Sequence, residues 1–119
     1  MFARDKGQQI EQQVSRYLQK QGLRLIEQNY QCRGGEIDLI MKEKNTLVFV
    51  EVRFRKNARF GSALESVNKQ KQAKIILTAQ HYIQTTASSE EQFRFDVVAV
   101  RPADSSLQIE WVKNAFQLN

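Results

Sequence analysis

Gly35-Glu36-Ile37-Asp38-Leu39-Ile40-Met41, a polar break over Lys42 to Thr46, and Leu47-Val48-Phe49-Val50-Glu51-Val52-Arg53 together decide the fold. Each apolar run has strand length, and the short polar connector fits a hairpin loop. Charges then stand where a core strand should carry none: Asp38 in the first run, Glu51 and Arg53 at the end of the second. Side chains alternate along a strand, so Glu51 and Arg53 share one face and Val50 and Val52 the other. If the two strands pair, Asp38 lies across from Glu51 or one rung away. Two carboxylates beside a cation fit a divalent-metal site at one edge of the sheet. They also fit an ordinary ion pair with Arg53, which on a surface contributes little. Burying two like charges together is costly unless a cation neutralises them, which favours the metal reading.

Working outward, residues from about Lys6 to Gln21 read as a helix. Ile10, Val14, Tyr17 and Leu18 form one apolar stripe, and Gly22 is placed to end it. Glu11 sits at the border of that stripe, either solvated or reaching over the sheet. Residues 23–31 alternate imperfectly as a strand, and Gly34-Gly35 is a turn. Phe54 to Glu65 is a loop. A second helix spans about Asn68 to Gln84, capped by Asn68 or Ser66, with Ala73, Ile76, Leu77, Ala79 and Ile83 as its apolar face. Phe93 to Arg101 is a strand containing Asp96. Leu107, Ile109 and Trp111 alternate with polar residues as in a half-buried edge strand, and Phe116 docks the tail. A long crossover through the second helix suits a parallel pair, and the hairpins antiparallel ones. The expectation is one domain over 1–119: an α/β fold with helices flanking a mixed sheet of about five strands.

Composition narrows the function. The 119 residues hold one modest core at 41% apolar content. No apolar run approaches the roughly 20 residues of a membrane span, and the first residues lack the apolar stretch of a signal peptide. A cytoplasmic location is expected. A single Cys32 and a single His81 exclude an internal disulfide and a zinc-ligand cluster. The net charge is +5, yet residues 53–74 alone carry +6 through Arg53, Arg55, Lys56, Arg59, Lys69, Lys71 and Lys74 against Glu65. A basic field beside the carboxylates suits a polyanion such as nucleic acid. Lysines in the first turns of the second helix oppose its dipole, a local cost that a phosphate-binding role would explain.

The order Glu11, Asp38, then Glu51-Val52-Arg53 resembles the restriction-endonuclease-like nuclease superfamily, whose motif is an Asp followed by Asp/Glu-x-Lys. Within it the chain is similar to the YraN family, and distantly to archaeal Holliday junction resolvases. Gly22, Asn29, Gly35 to Ile40, Val48 to Val52, Arg55, Phe60-Gly61, Lys71 and Arg94 to Val98 carry the YraN pattern. The resemblance implies a three-layer fold and a Mg²⁺- or Mn²⁺-dependent phosphodiesterase acting on DNA, with branched or damaged DNA as one candidate substrate; a homodimer, as in the resolvases, stays open. It implies Asp38, Glu51 and the Val52 carbonyl as metal ligands and Glu11 as the completing acid. Arg53 stands where the superfamily has lysine and cannot act as a base. Lys56 and Lys71 are the candidates to supply an ammonium instead. Arg55, Lys56, Arg59, Lys69, Lys71 and Lys74 would contact phosphates. The alternative is a non-catalytic nucleic-acid-binding or adaptor protein on the same fold.

Overall fold

The structure, a computed structural model, describes residues 2–55, 64–86 and 92–117; for residues 2–6 and 64 it describes the backbone alone. The elements in chain order are α1 (Phe2–Lys20), β1 (Arg24–Cys32), β2 (Gly35–Glu43), β3 (Thr46–Phe54), a single 3₁₀ turn (Leu64–Ser66), α2 (Lys69–Thr86), β4 (Gln92–Pro102) and β5 (Leu107–Phe116). The sheet order is β1-β2-β3-β4-β5. All neighbours are antiparallel except β3 and β4, which α2 joins as a parallel pair. One helix covers each face, so the fold is the expected three-layer α/β sandwich with a mixed five-stranded sheet.

The alternation of β3 divides the core. Val48 and Val50 pack with Ile10, Val14 and Leu18 of α1, while Leu47 and Phe49 pack with Ile75, Ala79 and Tyr82 of α2. Both faces of β3 are therefore apolar, as a strand covered on two sides requires. Phe95 stacks between Phe49 and Phe116 on the α2 side, with centroids 5.6 and 5.0 Å away.

Local chemistry ends and starts the helices as the sequence implies. Gly22 adopts φ +105°. Its N–H donates to Gln19 O at 3.1 Å, and Leu23 N–H to Leu18 O at 3.1 Å. That paired pattern needs a left-handed residue, which glycine supplies without a Cβ clash. Asn68 caps α2: Lys71 N–H donates to its Oδ1 at 2.8 Å.

The face of α2 differs from the sequence expectation. The buried positions are Ile75, Thr78, Ala79 and Tyr82, and Leu77 is 55% exposed. Thr78 is tolerated inside because its hydroxyl donates to Lys74 O at 2.8 Å. Reading Thr78 and Tyr82 as polar rotates the expected stripe around the helix; their packing sets the true one. Gly35, at φ +155°, lets β2 lie against this face: a Cβ there would stand 2.9 Å from Thr78 Oγ1.

Asp96 is fully buried in the middle of β4. It accepts from Arg94 Nε at 3.0 Å, Trp111 Nε1 at 2.9 Å and the Asn114 backbone N–H at 2.9 Å. Arg94 in turn donates to Glu43 at 2.8 Å. Asn114, at φ +52°, lies where β5 slips register against β4 and turns its N–H towards Asp96. Asp96→Ala leaves three donors without their acceptor and a guanidinium half-paired. We expect a loss of about 3–5 kcal/mol in urea unfolding, with the same secondary structure by circular dichroism below the transition.

Candidate functional site

The pairing of β2 with β3 runs from Glu43↔Thr46 to Leu39↔Val50 and stops. Beyond it the strands part. The next residues in line are Asp38 and Glu51, so the sequence expectation that they face each other holds. Asp38 is held by the backbone it leaves: Val52 N–H donates to Asp38 Oδ2 at 2.8 Å. The strand also reverses its faces here. Ile37 packs on the α2 side and Leu39 on the α1 side, whereas an undistorted strand would place both on one face. Asp38 is the residue between them and opens towards both helix layers.

Three carboxyl groups meet at this opening. Glu51 is 5% exposed and hydrogen-bonds Asp38; Glu11 reaches Asp38 from α1. Glu36 lies close enough to act on both Glu11 and Asp38 through its charge. Burial, then the charge of Asp38, push the Glu51 carboxyl up to about 8. Burial, Asp38 and Glu36 push Glu11 up to about 7. Asp38 is also raised by burial, opposed by the Val52 N–H and by Lys71. Protons on Glu11 and Glu51, both donated to Asp38, thus relieve the repulsion of one buried and two half-buried acids.

Two cations frame Glu51. Arg53 Nη1 lies 3.7 Å and Lys71 Nζ 3.6 Å from the same Oε2 atom. Arg53 comes from β3, two residues on; Lys71 comes from the first turns of α2. Of the two, Lys71 also faces Asp38.

The structure therefore brings Glu11, Asp38, Glu51, Arg53 and Lys71 together, with Val52 as the backbone partner. The cluster lies at the end of two inner strands rather than on an edge strand. Lys69 and Lys74 stay exposed on α2. Arg55 closes β3, its N–H donating to Val100 O at 2.7 Å. Lys56 and Arg59 lie outside the described residues. Sequence reasoning named Glu36 and Asn29 only within the family pattern and gave neither a role; both act on the Glu11 carboxyl, Glu36 raising and Asn29 lowering it. Both flank the acid pair in sequence or across the β1–β2 ladder, but only the packed layers show their reach. His81 is exposed and bonds Tyr30, away from the cluster.

Comparison with known proteins shows the family. A family model described as uncharacterised protein family UPF0102 matches residues 10–100. The chain belongs to the UPF0102 family. It is 55% identical over 113 residues to a UPF0102 protein of Psychromonas ingrahamii, covering 94% of this chain and 89% of that one. It is 48% identical over 116 residues to a UPF0102 protein of Nitrosococcus oceani, covering 97% and 94%. A UPF0102 protein of Methylococcus capsulatus is 50% identical over 114 residues. UPF0102 is the YraN family named from the sequence pattern, and its matched span contains every acid of the cluster.

As a chemical unit the cluster is a hard-oxygen donor set. Among the described residues no three acidic, His or Cys side chains stand ready-made as a metal cage. The adjacent pair is Asp38 and Glu51, with Glu11 joined through Asp38. Mg²⁺ needs no more, since it is held by one or two carboxylates and keeps several waters. Without metal, the raised Glu51 carboxyl makes the fold lose stability as pH climbs. That stability is fully present below about pH 4.5 and lost through about pH 8. Glu51→Gln imitates the protonated acid. In EDTA its melting temperature should match the parent near pH 5 and exceed it by several degrees near pH 9. Equal melts at both pH values would mean that Glu51 is comfortably ionised by Arg53 and Lys71.

Proposed function

We propose that this UPF0102 protein is a Mg²⁺-dependent nuclease that hydrolyses phosphodiester bonds in DNA, on a restriction-endonuclease-like fold. One observation carries the reading: acids from α1, β2 and β3 converge beside a lysine and an arginine where the sheet opens. A structural ion pair would need one acid and one cation. Here the acids outnumber what the two cations offset, and protons make up the difference in the metal-free chain.

Asp38, Glu51 and the Val52 carbonyl would hold the ion, with Glu11 completing the acidic wall. A bound Mg²⁺ supplies polarisation of the scissile phosphate and a water of lowered pKa. The chain's own groups do the rest. Arg53 stays protonated and can only bind or stabilise negative charge. Lys71 brings an ammonium to the carboxylate that the missing lysine would have served. Both are placed to take up charge developing on a phosphate beside Glu51. Lys69 and Lys74, exposed on the same helix, would track the neighbouring phosphates, as would Arg55, Lys56 and Arg59 after β3. Phosphate contacts of this kind position the strand and carry no sequence information.

Asp38→Asn and Glu51→Gln should each abolish Mn²⁺ binding by calorimetry and Mg²⁺-dependent nicking of branched DNA. Lys71→Ala should keep Mn²⁺ binding and lower nicking by roughly 10²–10³-fold, as loss of one transition-state donor does. Arg53→Lys keeps a cation and should stay within about threefold of the parent, because Lys71 already supplies the ammonium.

The arginine in the lysine position favours one other reading, a nucleic-acid-binding adaptor on the same fold. DNA affinity separates the two. Replacing Lys69 and Lys74 by Ala should flatten the dependence of log affinity on log salt by roughly two units. A parent that shows this slope yet takes up no Mn²⁺ is the adaptor; one that shows neither binds no nucleic acid.

A further inference from the structure

The sheet has two outer strands, β1 and β5. β1 slips register near its start, between Leu25 and Glu27. β5 keeps one register against β4 from Pro102↔Leu107 to Val97↔Val112, and its irregularity comes only beyond that point. No described strand lies outside it. Leu107 to Val112 include no proline or lysine, the residues that often blunt an edge.

The hydrogen bonds of the β4–β5 hairpin establish which backbone groups of β5 look outward. Ala103 and Ser106 exchange N–H···O bonds at 2.8 and 3.4 Å, which makes them a hydrogen-bonded pair. Such pairs alternate with open ones along an antiparallel ladder. Gln108, Glu110 and Val112 therefore bond β4, while Leu107, Ile109 and Trp111 turn their amides away from it. A second bond agrees: Val100 O accepts from Arg55 N–H at 2.7 Å, so Val100 turns its carbonyl away from its β5 neighbour Ile109. The same three outward-turned residues carry half-buried apolar side chains packed on the α1-side core. Trp111 is already fixed there. Its Nε1 donates to Asp96 at 2.9 Å, and Tyr17 meets its ring edge-on at 6.3 Å.

We propose that this edge binds a second copy of the chain, two β5 strands pairing antiparallel about a two-fold axis at Ile109. In that register Ile109 faces Ile109 of the second copy, Leu107 faces Trp111, and Gln108 faces Glu110. The outward-turned residues then form hydrogen-bonded pairs, about six N–H···O bonds in all, along a continuous apolar row. Gln108 and Glu110 fall in the open pairs, where side chains come closest, and amide and carboxylate are complementary. Other registers lose this match. Centring the axis at Glu110 sets two carboxylates against each other. Centring it at Trp111 sets Ile109 against Lys113 and carries the pairing past Asn114, where β5 leaves its register with β4. Centring it at Gln108 sets Trp111 against Ser105 in the turn. The contact is self-complementary, as a two-fold interface must be. None of these residues belongs to the acidic cluster, so the proposal stands apart from the nuclease reading.

Sedimentation equilibrium tests it. The parent should be a dimer at about 100 μM and dissociate on dilution. Gln108 and Glu110 are exposed, so their variants report on pairing rather than on folding. Gln108→Glu places a carboxylate against Glu110 on both sides of the axis and should weaken association about five- to tenfold. Adding Glu110→Gln should restore the parent's affinity, because the charge has then only changed sides. Ile109→Pro removes an N–H that β4 does not use and should leave a folded monomer by circular dichroism. A parent that stays monomeric at that concentration overturns the proposal. So does a dimer that persists in folded Ile109→Pro, one that Gln108→Glu leaves unchanged, or one that the double variant fails to restore, since each places the contact elsewhere. If Ile109→Pro does not fold, the charge exchange decides alone.

Discussion

A single hydrogen bond fixes the geometry on which the site depends. Where the β2–β3 ladder ends, Val52 N–H would meet water or nothing; it donates to Asp38 instead. That bond keeps the two strands in register with each other after their backbones have parted. It also decides which carboxylate carries the charge. Asp38 accepts from Val52 and from its two acidic neighbours, so protons gather on Glu11 and Glu51. The arrangement works against folding in the absence of a cation. The stability that offsets it comes from the apolar runs of β3 and β4, buried on both faces by the helices.

Two aspartates of the sheet, Asp96 fully buried and Asp38 half-buried, differ in what answers their charge. Asp96 is surrounded by donors from Arg94, Trp111 and Asn114, each in good geometry. Its charge is answered by groups that belong to the fold. Asp38 has one backbone donor, and its other partners are titratable: the acids Glu11, Glu36 and Glu51, and Lys71. What separates the two carboxylates is the kind of partner: donors that belong to the fold around Asp96, titratable groups around Asp38.

Much of this was legible before the fold was known. The strands of the hairpin, the facing of Asp38 and Glu51, and the caps at Gly22 and Asn68 follow from patterns only a few residues long. What escaped the sequence depends on packing between layers. The face of α2 was shifted because Thr78 hides its hydroxyl on Lys74 O and Tyr82 buries its ring against Phe49. The approach of Lys71 to Glu51 depends on where α2 lies, which Gly35 permits by its closeness to Thr78. The role of Asp96 was unreadable because Trp111 and Asn114 come from the following strand. Asn29 stood in the pattern, but nothing local marks an asparagine in a strand as left-handed.

The distortions of β1 have a consequence for how copies of this chain meet. β1 is an outer strand, and an outer strand offers unpaired amides as a template for another chain. A register slip beside Ile26 and a left-handed residue at Asn29 interrupt that template twice within nine residues. Edge-to-edge addition of a flat strand would need a run of regular backbone that this margin does not present. Left-handed Asn29, opposite Asp38 across the β1–β2 ladder, therefore also breaks the regular edge of the sheet on this side. A symmetric pair of these molecules would not form by extending the sheet at β1.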